Sequence, residues 1–456
     1  MSVAALDIGT SRMKAVLASW TGGITAVRSV PTPVLSEAAG HLAFPADEVL
    51  AAASALLEGL ARAHPDDPVD TVVFSCLGTA MVPVDREGCP LGPALAPGDI
   101  RPSKAPGLMD RVALPADALL DITGQDPRTP SFLLHWLWWR ETHPEVMRRV
   151  HRFRSLRGFI VERLCGADAE DPSWASRTML MDLATSTWSR QILVAADLPE
   201  AALPSIRPST AWWPVRPAAA AELGLSPGVR VVQGGMDNCC AFLGASDPDE
   251  QRLVNIAGTY EHLAGVGDLD ATSSAAAAVG GLTHRYLLAD RYLSYSRVPL
   301  GHLLAQVDAA APGGLGRLMD AVAEVPTGVS TRLDGEAVRT VIATGGPPGE
   351  VLQGLLEASA AVLGRYADAW VAAGGSVDRI VTVGGGAAHA RALQLKANLL
   401  GRPVSTLASD EASGIGALRL AAIAVLGSSP TEASILFPNP VALTWRPIDT
   451  ITTWTP

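Results

Sequence analysis

The hydrophobic residues of this chain fall into short apolar runs that end at glycine, separated by longer amphipathic stretches. The first two runs, residues 3–8 and 13–18, are predicted strands joined by a turn at residues 9–12. The same pattern predicts further strands at residues 24–30, 70–75, 81–84, 229–234, 252–257 and 379–383. Helices are predicted at residues 47–63, 132–140, 145–150, 153–164, 349–373, 390–400 and 414–426, and mostly loop at residues 90–107.

One arrangement recurs: a buried strand ends in glycine together with threonine or aspartate. It is found at residues 6–10, 231–237, 254–259 and 380–386. Strands that deliver glycine-rich turns to one face are how α/β proteins build ligand sites. Four such turns predict a cleft between two related domains, with a boundary near residues 246–250 that divides the chain into residues 1–246 and 247–456.

Composition and charge narrow the class of protein. The chain has 456 residues, of which 48% are hydrophobic and 18% charged, which fits a globular protein with two large domains. Its net charge of −11 disfavours nucleic acid or an anionic membrane as the main partner. The charged first strand does not predict a signal peptide, and no apolar run is long enough to cross a bilayer. Five cysteines without a CxxC pattern favour a cytoplasmic protein with reduced thiols; the vicinal Cys239 and Cys240 are either a redox pair or packed small residues.

The first turn carries candidate phosphate chemistry. In Asp7-x-Gly9-Thr10, the glycine lets the backbone approach a ligand, and amides with the Thr10 hydroxyl can hold phosphate oxygens. Lys14 adds a positive charge, and Asp7 can hold Mg²⁺ through water. The alternative is an ordinary hairpin with a charged tip.

The other three turns have the same two kinds of interpretation. Asp237 follows Gly234-Gly235-Met236 and can accept a proton from an attacking hydroxyl, or it can simply cap a helix. The Gly258-Thr259 pair is a second phosphate turn or a plain β-turn. The glycines at residues 384–386 let a flat purine lie against the backbone, or they form a flexible loop.

The order of these motifs resembles the FGGY family of carbohydrate kinases, within the actin-like ATPase superfamily, and has a xylulose kinase-like pattern. The resemblance spans nearly the whole chain. It is carried by LDIGTSRMKAVL (residues 6–17), DPSWASRTMLMD (171–182), GGMDNCCA (234–241), NIAGT (255–259) and the stretch from GGGAAHARALQLKANLLGRPV (384–404) to EASGIGA (411–417).

The resemblance implies two ribonuclease-H-like domains flanking a central cleft, with sugar and the catalytic base on the N-terminal domain and ATP on the C-terminal one. It implies an ATP- and Mg²⁺-dependent kinase acting on a small sugar, ketose or polyol, with Asp237 as the general base and Asp7 at the metal. The implied nucleotide contacts are Gly9, Thr10, Lys14, Gly258, Thr259, Gly385, Gly386 and Ala387. A homodimer is compatible with the family.

The substrate side departs from the family pattern. Where xylulose kinases carry Gln-Met-His-Gly, this chain has Leu-Gly-Thr-Ala at residues 77–80, so Thr79 replaces the substrate histidine. Asp99 and Arg101 remain from a Trp-x-Asp-x-Arg segment and are assigned to substrate binding and orientation. These departures keep open a non-catalytic relative that senses sugar or nucleotide. An actin-like ATPase coupled to a protein partner is a third interpretation, which the Asp99, Arg101 and Asp237 matches disfavour.

Overall fold

The computed structural model describes residues 1–311, 314–324, 327–328, 333 and 335–448. They form two compact units. The first comprises Met1–Gly244, His284–Arg291 and Ser413–Pro438, and the second Ala245–Thr283, Tyr292–Ala412 and Asn439–Pro456. Two stretches late in the chain therefore return to the first unit.

The first unit contains strands β1 to β14 and helices α1 to α10. The strands are β1 (Ser2–Ile8), β2 (Arg12–Ser19), β3 (Ile24–Pro31), β4 (Ala43–Phe44), β5 (Val69–Cys76), β6 (Met81–Val84), β7 (Ala94–Leu95), β8 (Arg152–Ser155), β9 (Ala169–Glu170), β10 (Met181–Asp182), β11 (Thr187–Trp188), β12 (Ser205–Ile206), β13 (Trp212–Pro214) and β14 (Arg230–Met236). The helices are α1 (Ala46–Ala63), α2 (Ile100–Lys104), α3 (Ala116–Thr123), α4 (Phe132–Thr142), α5 (Pro144–Met147), α6 (Leu156–Cys165), α7 (Pro172–Ala175), α8 (Arg190–Ala195), α9 (Pro217–Leu223) and α10 (Asp237–Ala245).

The second unit contains helices α11 to α16 and the remaining strands, except for the last two residues of β17, which belong to the first unit. These elements are β15 (Arg252–Ala257), β16 (Glu261–Gly267), β17 (Leu282–Arg285), β18 (Tyr292–Tyr295), β19 (Arg379–Val383), β20 (Val404–Leu407) and β21 (Val441–Trp445), with α11 (Leu269–Ala277), α12 (Leu300–Ala310), α13 (Gly314–Asp320), α14 (Gly335–Ala343), α15 (Pro348–Ala372) and α16 (Ala390–Leu400). Helices α17 (Ala412–Leu426) and α18 (Pro430–Leu436) lie mostly in the first unit.

Each unit is built on one large mixed sheet. The first has six strands in the order β13-β14-β5-β1-β2-β3, and the second seven in the order β17-β18-β16-β15-β19-β20-β21. In both sheets the central strands are parallel, β14 to β5 to β1 and β15 to β19 to β20. Residues 3–6 of β1 are fully buried, as expected for a strand covered on both faces. The predicted α/β class with two domains is therefore confirmed.

One predicted helix was wrong at its start. Residues 153–164 were expected to be a single helix, but β8 pairs with β6 before α6 begins. The Ser155 hydroxyl accepts a hydrogen bond from the Gly158 amide at 2.8 Å and caps α6. Phe153 is drawn into the core, where its ring lies 5.1 Å from that of Phe132. Residues 90–107, expected to be mostly loop, contain β7 and the short helix α2, and the remainder lies outside helices and strands as expected.

No helix within the described residues combines the length and the apolar character that a membrane span requires.

Candidate active site

The carboxyl ends of three parallel strands bring Asp7 and Asp237 to one edge of the first sheet. Asp7 on β1 is level with Ser75 on β5, and Ser75 is level with Gly235 on β14. Asp7 and Asp237 therefore lie at the ends of two strands, β1 and β14, that are separated by β5. Neighbouring strands in a sheet lie about 4.8 Å apart. The Ser75 hydroxyl, between them, donates a hydrogen bond of 2.6 Å to Asp7 Oδ1.

The turn before Asp237 depends on Gly234. Its φ is +77°, and a Cβ atom there would lie 1.7 Å from the Phe74 carbonyl oxygen, so the close packing of β14 on β5 leaves no room for a side chain. The chain then enters α10 with Asp237 as its first residue. Asp237 Oδ1 accepts a hydrogen bond of 2.7 Å from the amide of the next residue, Asn238, whereas an N-cap side chain would accept from an amide two or three residues further on.

The electrostatic environment of Asp237 suits proton transfer. Burial and the negative charge of Asp7 raise the pKa of Asp237 to about 7. A carboxyl group with this pKa is half ionised at neutral pH, so it can take up a proton and still be available as a base. Capping alone would not need a raised pKa.

A buried polar cluster, which we call the Asp171 cluster, supports this turn and was not assigned a role from the sequence. The Asp171 carboxylate accepts hydrogen bonds from Arg157 at 2.7 Å, from the Ser209 hydroxyl at 2.9 Å and from Ser173. The Ser173 hydroxyl in turn accepts a hydrogen bond of 3.0 Å from the amide of Met236. The D-x-S-x-A-S pattern at residues 171–176 could have indicated this cluster, because its aspartate and first serine, Asp171 and Ser173, make these hydrogen bonds.

Cys239 and Cys240 are packed residues of α10. Both have no exposed surface, and burial raises the pKa of each thiol, so both stay protonated. The structure therefore favours packing over a redox pair. Helix α17 lies directly against them, because a Cβ atom on Gly416 would be 1.8 Å from the Cys240 carbonyl oxygen.

The turn after Asp7 exposes residues that were predicted to bind phosphate. Thr10 is exposed, and Lys14 lies opposite Asp7 in the antiparallel β1–β2 register, so both side chains are on one face. The Thr32 hydroxyl donates a hydrogen bond of 2.7 Å to the Gly9 carbonyl oxygen and fixes the turn.

The predicted substrate residues do not form one group. Thr79 lies near the turn before Asp237, whereas Asp99 and Arg101 pair with each other. Gly78, next to Thr79, packs so closely that a Cβ atom there would lie 3.0 Å from Met236 Sδ. The Thr79 hydroxyl is buried without a hydrogen-bond partner, and the residue has a φ of +60°. Within the described residues, neither Asp99 nor Arg101 hydrogen-bonds to Thr79 or Asp237.

The Asp99 carboxylate is already occupied. It accepts hydrogen bonds from the Leu42 amide at 2.8 Å, from the Arg101 amide at 2.9 Å and from the Arg101 guanidinium at 2.7 Å. Burial alone would raise the pKa of Asp99, but these hydrogen bonds outweigh it and hold the pKa below its ordinary value. The Arg101 guanidinium also lies 5.3 Å from the centre of the Trp138 ring. A substrate hydroxyl would have to displace Arg101 to reach this carboxylate.

In the second unit, the two remaining glycine turns end adjacent parallel strands. Gly258 and Thr259 follow β15, and the glycines at residues 384–386 follow β19. A Cβ atom on Gly386 would lie 2.5 Å from the Ala257 Cβ, so the second turn packs on the end of β15. Gly258, Thr259 and Gly385 are exposed, which leaves their backbone open to a ligand.

A buried ion pair joins the strand after the first of these turns to the helix after the second. Glu261 on β16 contacts Lys396 on α16, and the two residues are 1% and 3% exposed. Asn255 and Ser359 also donate hydrogen bonds to this carboxylate. Burial alone would raise the pKa of Glu261, but the ammonium group and these donors hold it below its ordinary value. This ion pair was not predicted from the sequence.

Comparison with known proteins agrees with this geometry. The model of the N-terminal domain of the FGGY family of carbohydrate kinases matches residues 2–244, and that of the C-terminal domain matches residues 300–425. The chain therefore belongs to the FGGY family of carbohydrate kinases, which are sugar phosphotransferases, and the predicted resemblance is confirmed.

Individual relatives are distant. The xylulose kinase of Staphylococcus xylosus is 26% identical over 259 residues, 56% of this chain and 53% of the relative, so that match spans about half of the relative's length. The xylulose kinase of Bacillus subtilis is 25% identical over 447 residues, 92% of this chain and 87% of the relative. The structure of gluconate kinase from Lactobacillus acidophilus superposes with a TM-score of 0.83 at 18% identity, covering 98% of this chain and 94% of that one, which shows a shared fold.

Proposed function

We propose that this chain transfers the γ-phosphoryl group of Mg-ATP to a hydroxyl of a small sugar, ketose or polyol. The observation that carries the proposal is the position of Asp237 at the end of β14, one strand removed from Asp7, where burial and the charge of Asp7 raise its pKa to about 7. In the reaction the substrate oxygen forms a bond to the γ-phosphorus as the bond from that phosphorus to the bridging oxygen of ADP breaks. The hydroxyl proton passes to Asp237.

The proposal gives each unit its own set of nucleotide contacts. In the first unit, Gly9 and Thr10 offer a backbone amide and a hydroxyl to phosphate oxygens, and Lys14 a positive charge. In the second unit, Gly258 and Thr259 bind phosphate while Gly385, Gly386 and Ala387 lie against adenosine. The exposed backbone of these turns supports the assignment.

The residues present fit a magnesium ion held mainly by its substrate. Within the described residues, no three His, Cys, Asp or Glu side chains form a metal cluster. Mg²⁺ keeps several waters and needs only one or two protein carboxylates beside the phosphates of a nucleotide. The Asp7 carboxylate, oriented by Ser75, is the group that would hold it, and the ion would offset phosphate charge.

The substrate is proposed to be a polyhydroxy compound, with a pentulose as the first candidate. The matched relatives are named for xylulose and gluconate, both polyhydroxy compounds. The unpaired Thr79 hydroxyl supports a polar ligand near the Asp237 turn, because a buried hydroxyl without a partner costs about 1–3 kcal/mol. Asp99 is assigned to a substrate hydroxyl and Arg101 to orienting the substrate, an assignment that requires the Arg101 guanidinium to leave the Asp99 carboxylate when the substrate binds.

The test is ADP release from Mg-ATP with a panel of pentuloses, hexuloses, polyols and sugar acids. We expect one strong responder, whose turnover falls by at least about 10³-fold in Asp237→Ala while calorimetry still detects nucleotide binding. Asp290→Ala, at an exposed aspartate of the same unit, is the matched control. Turnover near the wild-type rate in Asp237→Ala would refute the base assignment.

The occupied Asp99 carboxylate favours a second candidate, a non-catalytic relative that binds sugar or nucleotide without transfer. The same experiment separates the two. Nucleotide binding without ADP release across the whole panel would support the binding protein over the kinase.

A further inference from the structure

Arg297 is a half-buried cation held on an aromatic ring. Its guanidinium carbon lies 4.4 Å from the centre of the Tyr260 ring, which immediately follows the Gly258-Thr259 turn. Throughout the part of the chain that the structure describes, no carboxylate lies within ion-pair distance of this guanidinium, whereas the partly buried Arg252 and Arg379 each pair with Glu250. A guanidinium that is partly desolvated and lacks an anion is suited to bind one.

The backbone fixes Arg297 next to this turn. The Glu261 amide donates to the Val298 carbonyl at 2.7 Å, and the Val298 amide donates back at 3.0 Å. The His302 amide donates to the Thr259 carbonyl at 3.3 Å. A Cβ atom on Gly301 would lie 2.4 Å from the Gly258 carbonyl oxygen, so the segment 297–302 packs on the turn itself.

The strand order places Arg297 on the far side of the turn from the adenosine residues. Along the sheet the order is β18-β16-β15-β19. The adenosine turn follows β19, the Gly258-Thr259 turn follows β15, and the segment carrying Arg297 follows β18 and pairs with the start of β16. A nucleotide with its base on the β19 side and its phosphates at the β15 turn points its terminal phosphate toward the β16 side.

We propose that Arg297 binds the γ-phosphate of ATP, an inference that rests on the proposed kinase function. The guanidinium presents paired donors that match two phosphate oxygens, and its contact with Tyr260 holds it in place before the nucleotide arrives. An arginine at the transferred group stabilises the charge that builds up in the transition state. ADP lacks the group that Arg297 contacts.

The test compares binding of Mg-ADP with that of the magnesium complex of the non-hydrolysable imido analogue of ATP, both by calorimetry. In Arg297→Met we expect the analogue to bind roughly 10- to 100-fold more weakly, the effect of losing a hydrogen bond to a charged group, and ADP to change less than about twofold. Arg297→Lys keeps a positive charge without the paired donors, so its affinity for the analogue should lie between those of the wild type and Arg297→Met. Arg365→Met, at an exposed arginine on α15, is the matched control and should change neither.

The outcomes separate the two proposals. A wild-type chain that binds neither nucleotide overturns the kinase function and this inference with it. A wild-type chain that binds both, with Arg297→Met unchanged or equally weakened toward both, overturns only the role of Arg297, since a purely structural role would not distinguish them. If Arg297→Met does not fold, the same comparison is made on Arg297→Lys, whose loss must be larger for the analogue than for ADP.

Discussion

A single carboxyl group shows how the proposed function and the stability of the fold oppose each other in this chain. The folded protein would be more stable with a neutral side chain at position 237, because burial and the charge of Asp7 both disfavour the ionised form of Asp237. Its neighbours hold it there regardless: Ser173 fixes the Met236 amide, and Gly234 allows the close approach of β14 to β5. An unfavourably placed charge of this kind is expected at a residue that is kept for its chemistry and not for its contribution to stability.

The replacement Asp237→Asn should therefore raise thermal stability in a pH-dependent way. The folded pKa, about 7, lies above the unfolded value near 3.8, so the folded chain binds more protons between these values and loses stability as the pH rises through them. Asparagine does not titrate. The variant should unfold at nearly the wild-type temperature only near pH 3.5, below the unfolded pKa. Its advantage should grow as the pH rises from 4 to 7 and reach about 1–3 kcal/mol at pH 8, a figure reduced for partial exposure.

Thermal unfolding followed by circular dichroism across this pH range measures the difference. Asp290→Asn, at an exposed aspartate of the same unit, is the control and should follow the wild type throughout. A constant difference between Asp237→Asn and the wild type at all pH values would show that the pKa of Asp237 is not raised.

At the scale of elements, the candidate site depends on strands and helices that are packed without side chains between them. Gly416 brings α17 onto α10, the helix that begins at Asp237, and Gly301 brings α12 onto the Gly258-Thr259 turn. Such contacts leave no room for adjustment, since the atoms nearest to these two glycines are backbone atoms. The positions of the turns are therefore set by helices far away in sequence.

Replacing Gly416 with alanine should separate α17 from α10. The new Cβ atom would lie 1.8 Å from the Cys240 carbonyl oxygen, so backbone has to move, at a cost of about 1–3 kcal/mol or more. Because α10 starts at Asp237, turnover should fall together with the unfolding temperature.

The matched control is Gly364→Ala in the middle of α15. There the nearest atom to the new Cβ is Leu400 Cδ2 at 3.6 Å, an ordinary contact, and alanine in a helix interior should add about 0.5–1 kcal/mol. Equal effects of the two alanines on the unfolding temperature would contradict the packing argument.

At the scale of the whole molecule, the chain is acidic, and individual cations accompany both turns that are proposed to bind phosphate. The net charge is −11, yet Lys14 and Arg297 lie beside the two phosphate turns. Local cations and backbone amides, rather than the overall field, are thus proposed to hold ATP. Binding of a nucleotide to the folded chain should therefore be visible in the stability of the protein.

Mg-ADP should raise the unfolding temperature. At a concentration 100 times its Kd, binding to the folded state adds about 2.7 kcal/mol, which corresponds to roughly 2–6 °C for a protein of this size. Removing the metal with a chelator should reduce the shift, and Asp237→Asn should retain it. No shift at any nucleotide concentration would argue against an ATP site.

The sequence by itself determined the elements and turns whose cause is local. Apolar runs that stop at glycine predicted β1, β14, β15 and β19, and the order of their turns identified the family, because strand propensity and turn chemistry are properties of neighbouring residues. The sequence also singled out Asp237, Asp7 and Thr79 as candidates, which remain proposals here.

Only the tertiary structure decided what depends on contacts between distant residues. Phe153 became strand rather than helix because β6 and the Phe132 ring lie beside it. The raised pKa of Asp237, the occupied carboxylate of Asp99 and the position of Arg297 on Tyr260 all arise from groups that folding brings together. Burial and charge proximity are not encoded in any short stretch of sequence, so the electrostatic character of the site could be established only from the fold.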